Sequence, residues 1–194
     1  DYANPEDFEK ISLYKALIMT CQSVKTFAQR YADLAREMAE KEKDEVRKKE
    51  LLTIAANCEK VPYYPADNFY EAVQSTWFVQ LISQIESDGT GVSIGRLDYF
   101  LWPYYEKDVK ENKLTPEFAG ELMDSFWLKC GEVLEVWNEE DTKAFGGHPI
   151  SQTITLGGTD EDGKDSVNDL TYICLDTTMK VKMPQPSVCC RVHK

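Results

Sequence analysis

From Tyr14 to Met38 the chain repeats apolar side chains at helical spacing, and that run limits the folds open to it. Tyr14, Leu17, Ile18, Cys21, Val24, Ala28, Tyr31, Leu34 and Met38 recur at steps of three and four. Such steps put them on one face of a helix. Charges hold the other face and thicken into Lys41-Glu42-Lys43-Asp44-Glu45. Asn4 suits the N-cap and Pro5 the first helical position. A helix from about Pro5 to Glu40 would be about 54 Å long at 1.5 Å per residue. That length suits a scaffold in a large protein better than a small compact domain.

A second helix is expected from about Asp44 to Cys58, before Val61-Pro62-Tyr63-Tyr64-Pro65 breaks the pattern. Asp67 then caps a third helix carrying Phe69, Val73, Thr76, Trp77, Leu81 and Gln84, which ends near Ser87. A glycine-rich loop follows, Asp88-Gly89-Thr90-Gly91-Val92-Ser93-Ile94-Gly95-Arg96. A short aromatic helix runs from Leu97 to about Lys113, and Thr115-Pro116-Glu117 opens another that reaches about Asn138. After Gly147 the period changes. Ser151-Gln152-Thr153-Ile154-Thr155-Leu156 alternates as a strand does, Gly157 to Gly163 is turn chemistry, and Asn168 to about Met179 returns to helix. Ser187 to Val192 reads as a second strand. Strand, helix, strand in that order predicts a parallel right-handed crossover. Two such strands do not make a stable parallel sheet alone.

The 194 residues carry a formal net charge of -12, with 42% hydrophobic and 29% charged residues. Nucleic-acid binding needs clustered Lys and Arg, so that class is excluded. No apolar run approaches the ~20 residues that span a bilayer. The first residues are polar and acidic, unlike a signal peptide, and without an initiator Met the chain is expected to begin inside a longer one. A soluble, acidic, cytoplasmic protein is the expectation. Six cysteines show no C-x-x-C spacing, so reduced thiols are expected and no zinc site.

The candidate chemistry is thin. Gly89-Thr90-Gly91-Val92-Ser93-Ile94-Gly95 follows a helix and has G-x-G-x-x-x-G spacing, so it fits neither a dinucleotide fingerprint nor a Walker loop. Its glycines mark positive φ or close backbone approach. Asp160 to Asp165 imitates a calcium loop, but the Gly stands fourth and Thr171 occupies the twelfth position, so a solvated turn is the better reading. His148 stands between helix and strand with no visible partner, and His193 lies close to the chain end. Cys189-Cys190 sits in a strand, where neighbours point to opposite faces, so one is expected to pack each way.

Several phrases, in order along nearly the whole chain, resemble the glycyl radical enzymes, the family of pyruvate formate-lyase. They are Ala28-Gln29-Arg30-Tyr31-Ala32-Asp33-Leu34-Ala35, Phe69 to Phe78, Gly95-Arg96-Leu97-Asp98 and Pro103-Tyr104-Tyr105-Glu106-Lys107-Asp108. Thr142-Lys143-Ala144-Phe145-Gly146-Gly147, Thr155-Leu156-Gly157-Gly158, Leu175-Asp176 and Met183-Pro184-Gln185-Pro186-Ser187 continue the series. The resemblance implies a mostly α chain with a small parallel β component, a partial segment of a ten-stranded α/β barrel. Residues 1–147 would supply an outer helical layer and 148–194 the first strand-helix-strand unit. It also implies a parent enzyme that cleaves C–C, C–N or C–O bonds by radical chemistry, as a lyase, decarboxylase or formate acetyltransferase.

The parent's glycyl radical would be installed by an S-adenosylmethionine iron–sulfur activase, and this segment would bind no cofactor. The radical-loop pattern Arg-Val-x-Gly-Tyr is absent, and the setting of Cys189-Cys190 matches an early barrel strand, so no catalytic residue is expected here and no activity from the segment alone. Implied partners are the rest of the parent chain, the activase, a second parent subunit and a small-molecule substrate. Dehydratase-like members often carry Asn-Gly-His-Ser in the glycine loop. Here Asp88-Gly89-Thr90-Gly91 stands in its place, which makes Thr90, Gly91 and Ser93 the candidate substrate-pocket residues and argues against glycerol-type dehydration. Two rival readings are a stand-alone truncated paralogue that binds an activase or full-length enzyme, and a helical scaffold with coincidental phrases.

Overall fold

A computed structural model describes residues 4–87, 91–133, 137–144 and 152–192. The elements in order are α1 (Pro5–Lys41), α2 (Glu45–Lys60), α3 (Phe69–Glu86), β1 (Gly95–Arg96), α4 (Leu97–Lys110), α5 (Pro116–Glu132), α6 (Glu139–Ala144), β2 (Thr153–Gly157), α7 (Asp169–Val181) and β3 (Ser187–Arg191). The chain divides into two compact units, Asp1–Ala66 and Asp67–Lys194. The expected boundary between residues 147 and 148 lies outside the described residues.

The first unit pairs α1 with α2. Asn4 caps α1 as expected, its side-chain oxygen accepting from the Glu6 amide at 3.1 Å. Asp44 caps α2 by accepting from the Val46 amide at 2.8 Å. The buried face of α1 meets the expected one only at Ala28. Ala28, Ala32, Ala35 and Ala39 are buried, while Tyr31, Leu34 and Met38 are about half exposed, as are Tyr14, Leu17 and Ile18. The physical reason is that alanine lets two helix backbones approach closely without immobilising a long side chain. Leu51, Ala55 and Cys58 are the buried apolar residues offered by α2, with Asn57 buried beside them in sequence. Arg36 clasps Glu59 through both carboxylate oxygens at 2.7 Å, from one helix to the other.

In the second unit Asn68, not Asp67, caps α3, accepting from the Glu71 amide at 2.9 Å. Asp67 instead donates its own amide to the Glu71 carboxylate. Thr115 and Pro116 open α5 as expected, but the helix stops at Glu132 rather than Asn138, with Val133 extended. Asn138 turns out to be a cap, accepting from the Asp141 amide at the start of α6. A capping box between Asn168 and Thr171 starts α7. The core gathers Phe69, Leu97, Leu101, Met123, Trp127, Ile154, Leu156, Leu170 and Cys174, all with almost no exposed surface.

Three parallel strands lie in the order β1-β2-β3. β2 shows the expected alternation, Ile154 and Leu156 buried between half-buried Thr153 and Thr155. The parallel pairing of β2 with β3 was expected, with Thr153 opposite Ser187 and Leu156 opposite Cys190. β1 was not, since two residues carry no alternation to read. Gly95 and Arg96 pair with Ile154 and Thr155, which makes the end of the glycine loop a strand. Both Cys189 and Cys190 are exposed, correcting the expectation that one packs on each face, because β3 is barely covered within this chain. Asp160 spends one oxygen on the Asp162 and Lys164 amides, so the acidic stretch is a turn. Among the described residues no helix is long and apolar enough to cross a membrane.

Candidate functional site

The candidate loop residues divide. Thr90 lies outside the described residues, as do His148 and His193. Gly91 and Ser93 are exposed, and Gly91 adopts φ +77°, a conformation glycine takes without steric cost. Val92 between them is tied down, its carbonyl accepting from Gln80 Nε2 at 3.1 Å.

That bond belongs to a network that sequence reading missed. Gln80 Nε2 also donates to Gln152 Oε1 at 3.1 Å. Gln152 Nε2 donates to the Cys130 carbonyl at 2.8 Å, and the Gln152 amide donates to Gln185 Oε1 at 2.9 Å. Glutamines from α3 and from the starts of β2 and β3 thus meet beside the glycine loop, all of them buried. A buried amide needs its partners, so the network fixes the loop against the sheet at the N-terminal ends of the strands. Gln84, one turn after Gln80 on α3, is also buried, yet neither its Nε2 nor its Oε1 has a partner among the described residues. The available signal was Gln80 and Gln84 at i and i+4 among the apolar residues Phe78, Val79, Leu81, Ile82 and Ile85.

A second polar cluster closes the opposite end of β2. Asp98 has no exposed surface. Its Oδ2 accepts from the Gly157 amide at 2.8 Å and from Thr171 Oγ1 at 2.6 Å. Arg96 donates to the Thr159 carbonyl at 2.8 Å, the Gly157 carbonyl at 3.0 Å and Ser166 Oγ at 2.5 Å, with its guanidinium 4.2 Å from the Tyr99 ring centre. Gly157 turns there at φ +69°, and a Cβ would lie 3.1 Å from the Arg191 carbonyl oxygen. This cluster is inward-turned, and its bonds to main chain and to Ser166 and Thr171 hold the sheet to α4 and α7, while Arg96 Nε and Asp98 Oδ1 are buried with no partner among the described residues.

The three buried thiols, Cys58, Cys130 and Cys174, are held in their protonated form. Burial pushes Cys58 up to about 11 and Cys130 up to about 12, and it raises Cys174 as well, with the Asp98 carboxylate adding to the shift. Buried in this way they behave as small apolar residues. Among the described residues no group of three His, Cys, Asp or Glu is arranged to hold a metal ion.

The sequence profile described as pyruvate formate lyase-like matches residues 1–194. The chain belongs to that family, whose members are the glycyl radical enzymes. Isethionate sulfite-lyase of Desulfovibrio desulfuricans is 40% identical over 97% of this chain and 23% of its own length. (2S)-3-sulfopropanediol dehydratase of Klebsiella oxytoca is 36% identical over 98% of this chain and 23% of its own. Among solved structures, the protein of 1,2-propanediol dehydration in Roseburia inulinivorans superposes with a TM-score of 0.96 at 41% identity, covering 99% of this chain and 24% of that one. The B12-independent glycerol dehydratase of Clostridium butyricum, in its glycerol-bound form, gives 0.93 at 39% identity, covering 97% and 24%. The chain therefore has the fold of one part of a glycyl radical enzyme barrel, and it spans about a quarter of the length of these relatives.

Proposed function

We propose that this chain is a segment from the N-terminal half of a glycyl radical lyase, contributing scaffold and one wall of the substrate site while the reacting groups come from elsewhere in the parent. The match over residues 1–194 to so small a share of much longer enzymes carries this reading. Residues 1–147 then serve as outer helical layer, with β1 reaching the sheet, and residues 148–194 as the first strand-helix-strand unit of the barrel.

The residues present do not fit the radical centre. The radical-loop pattern is absent, and Cys58, Cys130 and Cys174 are sealed in apolar surroundings. The family's protein radical, installed by an S-adenosylmethionine-dependent activase, supplies hydrogen-atom abstraction in the parent. This chain's residues hold the loop, pack the barrel wall and exclude water.

Isethionate, 1,2-propanediol and glycerol, named for the relatives, each bear a hydroxyl next to a carbon that carries a leaving group. The parent is accordingly proposed to act on a small hydroxylated substrate. Thr90 and Gly91 in place of His-Ser exchange an imidazole for a smaller hydroxyl side chain and remove a second hydroxyl, which points away from glycerol and towards a bulkier or differently charged member of that class.

The native protein, incubated with its activase without oxygen, should show a glycyl radical by electron paramagnetic resonance and turn over a substrate of this kind. Exchanging Thr90-Gly91 for His-Ser in it should change kcat/KM by about tenfold or more. A native species near 22.2 kDa that never acquires a radical would overturn the reading and leave a binding module for activase or enzyme in its place.

A further inference from the structure

Two side chains of the cluster at the far end of β2 each keep one atom out of the bonding around them. Asp98 has no exposed surface, and its Oδ1 has no hydrogen-bond partner among the described residues. Its Oδ2, by contrast, takes the Gly157 amide at 2.8 Å and the Thr171 hydroxyl at 2.6 Å. Arg96 Nε is likewise buried and without a partner among the described residues. Both of its Nη atoms are engaged, Nη1 by the Thr159 carbonyl at 2.8 Å, Nη2 by the Gly157 carbonyl at 3.0 Å and by Ser166 Oγ at 2.5 Å. A donor and an acceptor removed from water with nothing in exchange cost free energy.

The two atoms are opposite in kind and belong to one network. Arg96 and Asp98 stand two residues apart and hold the two ends of Gly157, Arg96 its carbonyl and Asp98 its amide. Nε–H needs an acceptor, and the carboxylate Oδ1 needs a donor. The Tyr99 ring lies against the guanidinium, 4.2 Å away. Gly158 brings no side chain to this place, and a Cβ there would lie 3.6 Å from Arg96 Nη2, at ordinary contact distance. The packing beside the guanidinium therefore leaves room for one more small atom.

We propose that a single internal water is bound in this cluster as a fixed part of the fold, accepting from Arg96 Nε and donating to Asp98 Oδ1. The chemistry of the two atoms selects it. An anion would face the Asp98 carboxylate and a cation the Arg96 guanidinium, so a neutral molecule that both donates and accepts is the fit. Neither atom is open to solvent, which restricts the occupant to one small enough to be enclosed. Water meets both conditions, and buried waters hold otherwise unpaired groups in this way. It joins β1, where the glycine loop ends, to the first turn of α4. This inference stands apart from the functional reading above.

The test is a crystal structure of the native protein at a resolution that shows single waters, for wild type and for Arg96→Lys, which keeps the charge and has no Nε. Wild type should show one fully occupied water at about 2.6–3.2 Å from both atoms. In Arg96→Lys the water should be lost, or its temperature factor should rise to that of surface waters. Should the variant fail to fold, the wild-type structure alone decides. A direct bond from another residue to either atom, separate waters on the two atoms, or no density beside them would overturn the inference. A water that stays equally ordered in Arg96→Lys would overturn it too, since Nε would then have no part in holding it.

Discussion

Asp98 shows how much one side chain organises in the second unit. Its carboxylate takes the Gly157 amide from β2 and the Thr171 hydroxyl from α7, while its own carbonyl accepts from Asn168 Nδ2 at 3.3 Å. It thereby joins the start of α4 to the turn after β2 and to the cap of α7. Removing it leaves a buried amide and a buried hydroxyl unpaired, each worth about 1–3 kcal/mol. Asp98→Ala is expected to lower stability by about 3 kcal/mol, and Asp98→Asn by less because its amide oxygen still accepts one bond. Urea denaturation with an unchanged slope reads this directly, and equal, small effects of both variants would show that the carboxylate is not the tie. The phrases containing Asp98 and Gly157 were both legible in the sequence. That they meet was not, because 59 residues separate them.

At the scale of elements, the long helix was readable and its buried face was not. Periodicity singled out the large side chains, yet α1 turns its alanines inward and leaves Tyr31, Leu34 and Met38 about half exposed. Ala32 and Ala55 have no exposed surface, so neither site has room for a larger residue. Ala32→Leu is expected to cost about 1–3 kcal/mol by overpacking, whereas Leu34→Ala should cost well under 1 kcal/mol in this chain. Thermal melts of the two variants make the comparison, and the opposite ranking would restore the face read from periodicity. β1 illustrates the same limit differently. Two residues have no period, and only pairing with Ile154 and Thr155 makes them a strand.

Taken whole, the molecule leaves much apolar surface uncovered. Phe8, Leu17, Ile18 and Met19 on α1 are each more than half exposed, and β3 pairs with β2 alone among the described residues. Patches and open strand edges of this kind are association surfaces. The isolated chain is expected to bind a hydrophobic dye and to self-associate despite its charge of -12, in sedimentation at micromolar concentration. A monodisperse monomer that leaves the dye dark would count against these faces being meant for more chain.

Local pattern was enough for the helices and their approximate starts at Asp44, Thr115 and Asn168, the cap at Asn4, the alternation of β2, the turn at Asp160 and the family phrases, though it set the α3 cap one residue early, at Asp67 instead of Asn68. Those signals act within a few residues of one another, through backbone hydrogen bonds and side-chain spacing. Tertiary structure alone decided which face of α1 is buried, that Gly95-Arg96 is a strand, and that Gln80, Gln152 and Gln185 form one network. These are contacts between residues far apart in the chain, and the choice among many apolar or polar candidates is made by fit in space, where alanine's small size and an amide's need for partners outweigh local pattern.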